Sequence, residues 1–272
     1  MAIDIDGTLV NSRDQLTAPT RAALRKAVAS GIRVVLATGR RYSRALPLVE
    51  PLSLDVPLVT ASGALIKDPL DHRTLFRASF APGVLEEALR MVDQAGYDPL
   101  LYADTYAEGF DLYCRRTQVE QPELMEFFER NPDCHRLCPE LVATPPPGVF
   151  SCFAMGPREE MMALCGQLEE RFPEDLYVHV LRSPRYAGYM CEIAPAGVTK
   201  WSGIEHLAHD WGIADAEICA VGDDVNDIPM IRAAGLGVAM GNAQDEVKAA
   251  ADRIAPGHDE DGLAAVVEWL LN

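Results

Sequence analysis

Apolar and polar positions along this chain follow two rhythms. Ala2–Ile5 is a short apolar run that ends in Asp6-Gly7, a turn signal. Thr17 stands where a helix cap belongs, with Pro19 in the first turn and Gly31 just past the end. Leu24, Ala27 and Val28 form one apolar stripe, so the spacing predicts a helix to about Ser30. Ile32–Ala37 reads as a buried strand. Strand–helix–strand at this spacing implies a right-handed crossover in a parallel sheet. The same rhythm returns near the C-terminus. There the pattern predicts helix over Thr199–Trp211, strand over Ile218–Val221 and helix over Ile228–Ala234. A strand over Leu236–Met240 and a closing helix over Gly262–Leu271 follow.

The middle of the chain reads differently. Helical stretches at Val84–Ala95, Glu123–Arg130 and Glu159–Arg171 are separated by β-like runs at Pro99–Tyr102, Val149–Met155, Tyr177–Leu181 and Tyr189–Ile193. Pro145-Pro146-Pro147-Gly148 is a stiff connector. The economical reading is α/β: one core domain built from both ends of the chain and interrupted by an inserted α+β domain. The expected division is 1–81 and 189–272 for the core and 82–188 for the insert. A length of 272 residues suits two domains.

Composition narrows the function. Apolar residues make up 49% of the chain, ordinary for a soluble globular protein. Lys plus Arg number 24 against 41 Asp plus Glu, a net charge of −17. That balance argues against nucleic acid and anionic membranes as partners, because phosphate backbones are held by Lys and Arg. It leaves room for a small phosphorylated ligand held locally with a divalent cation. No apolar run approaches the ~20 residues of a spanning helix. Met1-Ala2-Ile3-Asp4 lacks the basic start and apolar segment of a signal peptide. The seven cysteines are odd in number and irregularly spaced, which suits free thiols in the cytoplasm. Cys134-x-x-x-Cys138 around His135 is half a zinc site at most, with no second pair at ligand spacing. His206-x-x-His209 likewise lacks a third ligand, and Gly235-x-Gly237-x-x-x-Gly241 has the wrong spacing for a dinucleotide fingerprint.

Four segments are candidates for chemistry. In Asp4-Ile5-Asp6-Gly7-Thr8-Leu9, strand periodicity projects Asp4 and Asp6 the same way as the strand runs out. Ligands of open parallel sheets bind at the carboxyl ends of strands. Two adjacent carboxylates repel unless a cation lies between them, and Mg²⁺ prefers oxygen ligands. Thr38-Gly39-Arg40 ends the second strand and offers a hydroxyl and backbone N–H groups to a phosphate oxygen. Lys200 stands near the start of the helix after Thr199. Gly222-Asp223-Asp224-Val225-Asn226-Asp227 follows the strand Ile218–Val221 with three acids and an amide. Taken singly, each also has a plain reading: an Asp-Gly turn, a helix-starting threonine, a solvated lysine and a solvated loop.

Taken together and in this order, the segments resemble the haloacid dehalogenase superfamily, and within it the Cof-type branch of sugar-phosphatase-like proteins. Val238–Ala243 and Asp259–Gly262 look like that branch's closing signatures. The resemblance implies a Rossmann-like parallel-sheet core interrupted by an α+β cap of the type-II (IIB-like) class. It also implies a Mg²⁺-dependent phosphatase acting on a small phosphorylated metabolite. Asp4 would be the nucleophile and form an aspartyl-phosphate. Asp6 would protonate the leaving alcohol and then activate water. Mg²⁺ would be held by the carboxylates of Asp4 and Asp223 and the backbone oxygen of Asp6, with Asn226 and Asp227 in support. Thr38, Gly39 and Lys200 would bind the phosphoryl group. Arg40, Ser62, Gly63 and Arg185, together with Tyr186, are candidates for substrate contact.

Two further readings follow from spacing and departures. The 161 residues between Thr38 and Lys200 place the insertion between the second and third motifs. Only three residues precede Asp4, so either the first strand is clipped or the true start lies upstream of Met1. Ala61-Ser62-Gly63-Ala64 stands where relatives commonly carry Asn-Gly-Ala, and serine reaches less far. The rival readings are a phosphomannomutase-like phosphomutase and a non-catalytic Mg²⁺- or phosphate-binding module.

Overall fold

Thr17 caps the first helix by accepting a hydrogen bond from the backbone N–H of Thr20. In the computed structural model, which describes residues 1–182 and 187–272, that helix connects the first two strands of a parallel sheet. The chain divides into two units, Met1–Phe76 with Thr199–Asn272, and Arg77–Val198.

The first unit begins with β1 (Ala2–Asp4), α1 (Ala18–Ala29), β2 (Val35–Ala37), α2 (Tyr42–Val49), β3 (Leu58–Thr60), β4 (Leu65–Lys67) and β5 (Thr74–Arg77). The strands β3, β4 and β5, of three or four residues each, are too short to show a usable period in the sequence. The second unit follows with α3 (Val84–Gln94), β6 (Leu100–Ala103), β7 (Leu112–Cys114), α4 (Pro122–Arg130) and β8 (His135–Leu137). It continues through β9 (Val149–Gly156), α5 (Arg158–Arg171), β10 (Leu176–Arg182) and β11 (Tyr189–Pro195). The chain then returns to the first unit through α6 (Lys200–Trp211), β12 (Cys219–Gly222), α7 (Ile228–Ala233), β13 (Leu236–Ala239), α8 (Asp245–Ala250), β14 (Arg253–Ile254) and α9 (Gly262–Leu271).

The core sheet has eight strands in the order β14-β13-β12-β1-β2-β3-β4-β5. Pairing is parallel from β14 through β3 and antiparallel between β3 and β4. The inner strands β1, β2, β3 and β12 are buried at every residue, as expected for a parallel sheet covered on both faces. Ala2, Val35 and Ala37 meet Ile204, Leu207 and Met230 of α6 and α7 on one face. Helices α1 and α9 pack on each other. Register puts Asp4 opposite Ala37 and Ile3 opposite Val221, so the carboxyl ends of β1, β2 and β12 lie side by side.

The second unit has a six-stranded sheet in the order β10-β11-β9-β6-β7-β8. Leu89 and Val92 of α3 and Leu164 and Leu168 of α5 pack with Cys152, Val178, Cys191 and Ile193 in one apolar core. Phe127 of α4 meets Phe153. The boundaries differ from those expected. The insert starts at Arg77 and runs to Val198, because β11 pairs along its length with β10 and β9. A boundary near Tyr189 would have cut off that central strand.

Candidate active site

The site is built where β1, β2 and β12 end. Asp4, the last residue of β1, is 2% exposed. The chain then turns back, with Leu9 N–H donating to the carbonyls of Asp4 and Ile5. Gly7 takes φ +78°, and a Cβ there would stand 2.2 Å from Asp223 Oδ2, so only glycine lets the turn approach the acidic loop.

Lys200 is the first residue of α6 and is 3% exposed, far from the solvated position usual for lysine. A reciprocal cap fixes the helix start: Ser202 N–H donates to Thr199 Oγ1 at 3.2 Å, and Thr199 N–H donates to Ser202 Oγ at 3.0 Å. Gly63 lets α6 approach, since a Cβ there would stand 2.0 Å from the Thr199 carbonyl oxygen. Lys200 Nζ donates to Asp4 Oδ1 at 2.6 Å, Asp227 Oδ1 at 2.7 Å and Asn226 Oδ1 at 3.1 Å. An ammonium has three donors, so all are taken.

Asp227 is fully buried. Its Oδ2 accepts the backbone N–H groups of Asp223 and Asp224 at 3.0 and 3.1 Å. Both its oxygens are thus spent on shaping the loop and holding Lys200. Asp223 accepts from Thr8 Oγ1 at 3.2 Å and from Asn242 Nδ2 at 3.0 Å. Asn242 also donates to the Gly7 carbonyl, tying the two loops together.

Among the described residues, carboxylate oxygens of Asp4, Asp223 and Asp227 lie within 4.8 Å of one another. Three carboxylates here face one ammonium, an excess of negative charge in a buried place. The consequence is visible in their ionisation. Burial, then Asp227, push the Asp223 carboxyl up to about 7. Burial, then Asp227, also raise Asp4, against the pull of Lys200. Burial opposes the charge on Lys200, but Asp227 and Asp4 outweigh it and keep the ammonium above its ordinary value.

Asp6 sits elsewhere. β1 stops at Asp4 and the backbone turns, so strand periodicity no longer aligns the two side chains. The Asp6 carboxylate is half-exposed and forms no part of the acidic cluster. Arg40 Nε donates to its two oxygens at 2.9 and 2.8 Å, and Arg40 Nη2 pairs with it as well. Thr38 Oγ1 lies 3.4 Å from Asp6 Oδ2 and accepts the Arg40 backbone N–H. Arg40 also pairs with Asp14 at 2.9 Å, so this guanidinium is engaged by two carboxylates.

Gly39, Ser62 and Gly63 come together at the ends of β2 and β3, where Ser62 N–H donates to the Thr38 carbonyl. Ser62 takes φ +54°. Arg185 and Tyr186 lie outside the described residues. Neither periodicity nor motif resemblance gives Thr8, Asp14 or Asn242 a role. Thr8 and Asn242 fall inside quoted motifs, whereas nothing local marks Asp14.

Known proteins resemble this chain over nearly its full length. A family model described as haloacid dehalogenase-like hydrolase matches residues 1–267. The chain is 29% identical over 288 residues to the phosphatase YwpJ of Bacillus subtilis, across 100% of this chain and 99% of that protein. It is 30% identical over 275 residues to the HMP-PP phosphatase of Serratia proteamaculans, across 99% and 94%. Among solved structures, a haloacid dehalogenase-like hydrolase from Bacteroides thetaiotaomicron aligns with a TM-score of 0.79 at 27% identity, over 99% of this chain and 98% of that one.

Proposed function

This chain belongs to the haloacid dehalogenase-like hydrolases, and from that premise we propose that it is a Mg²⁺-dependent phosphatase acting on a small phosphorylated metabolite through an aspartyl-phosphate. The phosphatase names of its relatives support the reaction class; a sugar phosphate or similar monoester is the substrate that the motif resemblance implies.

One observation carries the reading. Asp4 is a buried carboxylate at a strand end with one oxygen on Lys200 and the other, Oδ2, buried without a hydrogen-bond partner among the described residues. Leaving such an atom unpaired costs about 1–3 kcal/mol or more, so it marks a place for something else. The donor set fits a divalent cation: all oxygen, with an excess of negative charge and an Asp223 carboxyl that burial has raised. Asp4 and Asp223 would hold Mg²⁺ with the backbone oxygen of Asp6, and the bound ion would offset charge on the phosphoryl oxygens.

The remaining roles follow from place. Asp4 forms a bond to phosphorus as the bond to the leaving alcohol breaks. Asp6 gives the departing oxygen its proton and later takes one from water. Thr38 and the backbone N–H groups around Gly39 meet the phosphoryl oxygens, while Lys200, held in line by Asp227 and Asn226, offsets charge on Asp4 and the phosphoryl group. Phosphoryl transfer depends mainly on such positioning and charge.

The test is direct. Asp4→Asn is expected to abolish Mg²⁺-dependent release of phosphate from an aryl phosphate, and chelation is expected to silence the wild type. Retained turnover in either case overturns the mechanism. A screen of sugar phosphates, pyridoxal phosphate, nucleotides and flavin precursors then identifies the substrate.

A further inference from the structure

The pair between Arg40 and Asp6 has a third member that no motif contains. Asn11 Oδ1 accepts the backbone N–H groups of Arg13 and Gln15, each at 3.0 Å. Asn11 N–H donates to the Gln15 carbonyl, and Asp14 N–H donates to the Asn11 carbonyl. This closed turn holds Asp14 at φ +56°, a conformation that side-chain-bearing residues rarely adopt. The result is a carboxylate at the Arg40 guanidinium, with Asp14 Oδ1 2.9 Å from Nη2.

Stability is a poor reason for the arrangement. Asp14 and Asp6 have side chains 54% and 49% exposed, and exposed ion pairs contribute little. Geometry is a better one. Arg40 is 12% exposed and presents a planar fork to Asp6, and such a fork fixes both the place and the plane of the carboxylate it meets. The fork is only as steady as its own anchor.

We propose that Asp14 is a positioning residue for the proton transfer made by Asp6: it anchors Arg40, and Arg40 in turn holds the Asp6 carboxyl group in place. This rests on the phosphatase reading. In the first step Asp4 forms its bond to phosphorus while the bond to the leaving oxygen breaks. The bonding pair stays on that oxygen, which takes the proton carried by Asp6. An alkyl leaving group needs that proton. A nitrophenolate, stable as an anion, leaves without it.

The experiment compares kcat/KM for p-nitrophenyl phosphate with kcat/KM for a sugar phosphate that the wild type turns over. This constant covers the steps up to departure of the leaving group, so later hydrolysis of the aspartyl-phosphate does not enter. Asp14→Gly keeps the left-handed backbone free of strain and removes the anchor. The expected result is a loss of about tenfold for the sugar phosphate, a modest part of what general acid catalysis supplies, with the aryl ester within about twofold. Asp14→Asn keeps an acceptor oxygen and tolerates the same backbone, so it is expected to restore the wild-type ratio. The ratio does not depend on how much of the protein is active, so partial unfolding cannot imitate the effect. Should the glycine variant fail to fold, Asp14→Ser gives the same readout, since Ser53 and Ser62 already hold φ +52° and +54° here. Equal losses on both substrates, or no loss on either, overturn the role of Asp14. Wild-type turnover that survives Asp4→Asn would overturn the phosphatase mechanism instead.

Discussion

Lys200 shows how much one buried charge governs. Its ammonium is hydrogen-bonded to Asp4, Asp227 and Asn226 and is almost inaccessible to water. Removing one partner of a buried ion pair leaves the other uncompensated, which costs about 3–5 kcal/mol. Lys200→Met is therefore expected to lower unfolding free energy by about that amount in urea titration, with added Mg²⁺ restoring part of it. Gly7 is sensitive for a steric reason. An alanine there would be strained at φ +78° and would drive its Cβ into Asp223. Displacing a group that shapes a metal site typically weakens the site about 10–100-fold. Gly7→Ala is expected to raise the Mg²⁺ concentration for half-maximal activity by at least about tenfold, measured as a metal titration of phosphate release.

At the scale of elements, β1 is short for a strand at the middle of the core sheet, with three residues between β2, also of three, and β12, of four. A cavity of about 230 Å³ opens beside its first residues, lined by Met1, Arg33, Val35, Trp211 and Ile218. Three or four apolar residues placed before Met1 would lengthen the ladder and fill that space. The expected result is a melting temperature higher by a few degrees, the shift that about 1 kcal/mol produces at this size. In the inserted unit, β10 and β11 carry a cross-strand pair, His179 Nε2 to Glu192 Oε2 at 3.1 Å, with Tyr177 beside the ring. Burial pulls the His179 imidazole down, but Glu192 outweighs it and holds the group above its ordinary value. A histidine raised in the folded state stabilises fully below its unfolded value of about 6.5, and that contribution fades as pH rises through the folded value. The wild type is therefore expected to lose melting temperature, relative to the double variant His179→Gln with Glu192→Gln, as pH rises above about 6.5.

At the scale of the molecule, the charge of −17 acquires a local meaning. Most of it is surface, where it opposes anionic partners. A small part is concentrated around Asp4, where a cation would lower the repulsion. Ligands that bind only the folded state stabilise it by mass action, about 2.7 kcal/mol at one hundred times the dissociation constant. Mg²⁺ is expected to raise the melting temperature at pH 8 and to do so less as pH falls through about 7, where Asp223 takes up a proton. Asp223→Asn is expected to remove most of the shift, read by scanning calorimetry with and without chelator. No helix among the described residues is long and apolar enough to cross a membrane.

The sequence alone carried the alternation that makes a parallel core, the break in that rhythm that makes an insert, and the motifs at strand ends. These are local properties. Period, caps and turn residues act over a few positions, and Thr17, Thr199 and Gly7 do in the fold what their types imply. What the tertiary structure decided is which distant groups meet. Lys200 reaches Asp4 only because α6 starts beside β1, after an insertion that separates them by 196 positions. Asp6 parts from Asp4 because β1 ends at Asp4, one residue early, and its carboxylate pairs with a guanidinium from the end of β2. The place of β11 was likewise settled by pairing with β9 and β10 rather than by its own composition. Strand order and register are set by long-range packing, so the choice of partner for Arg40, and with it the link to Asp14, belongs to the folded chain alone.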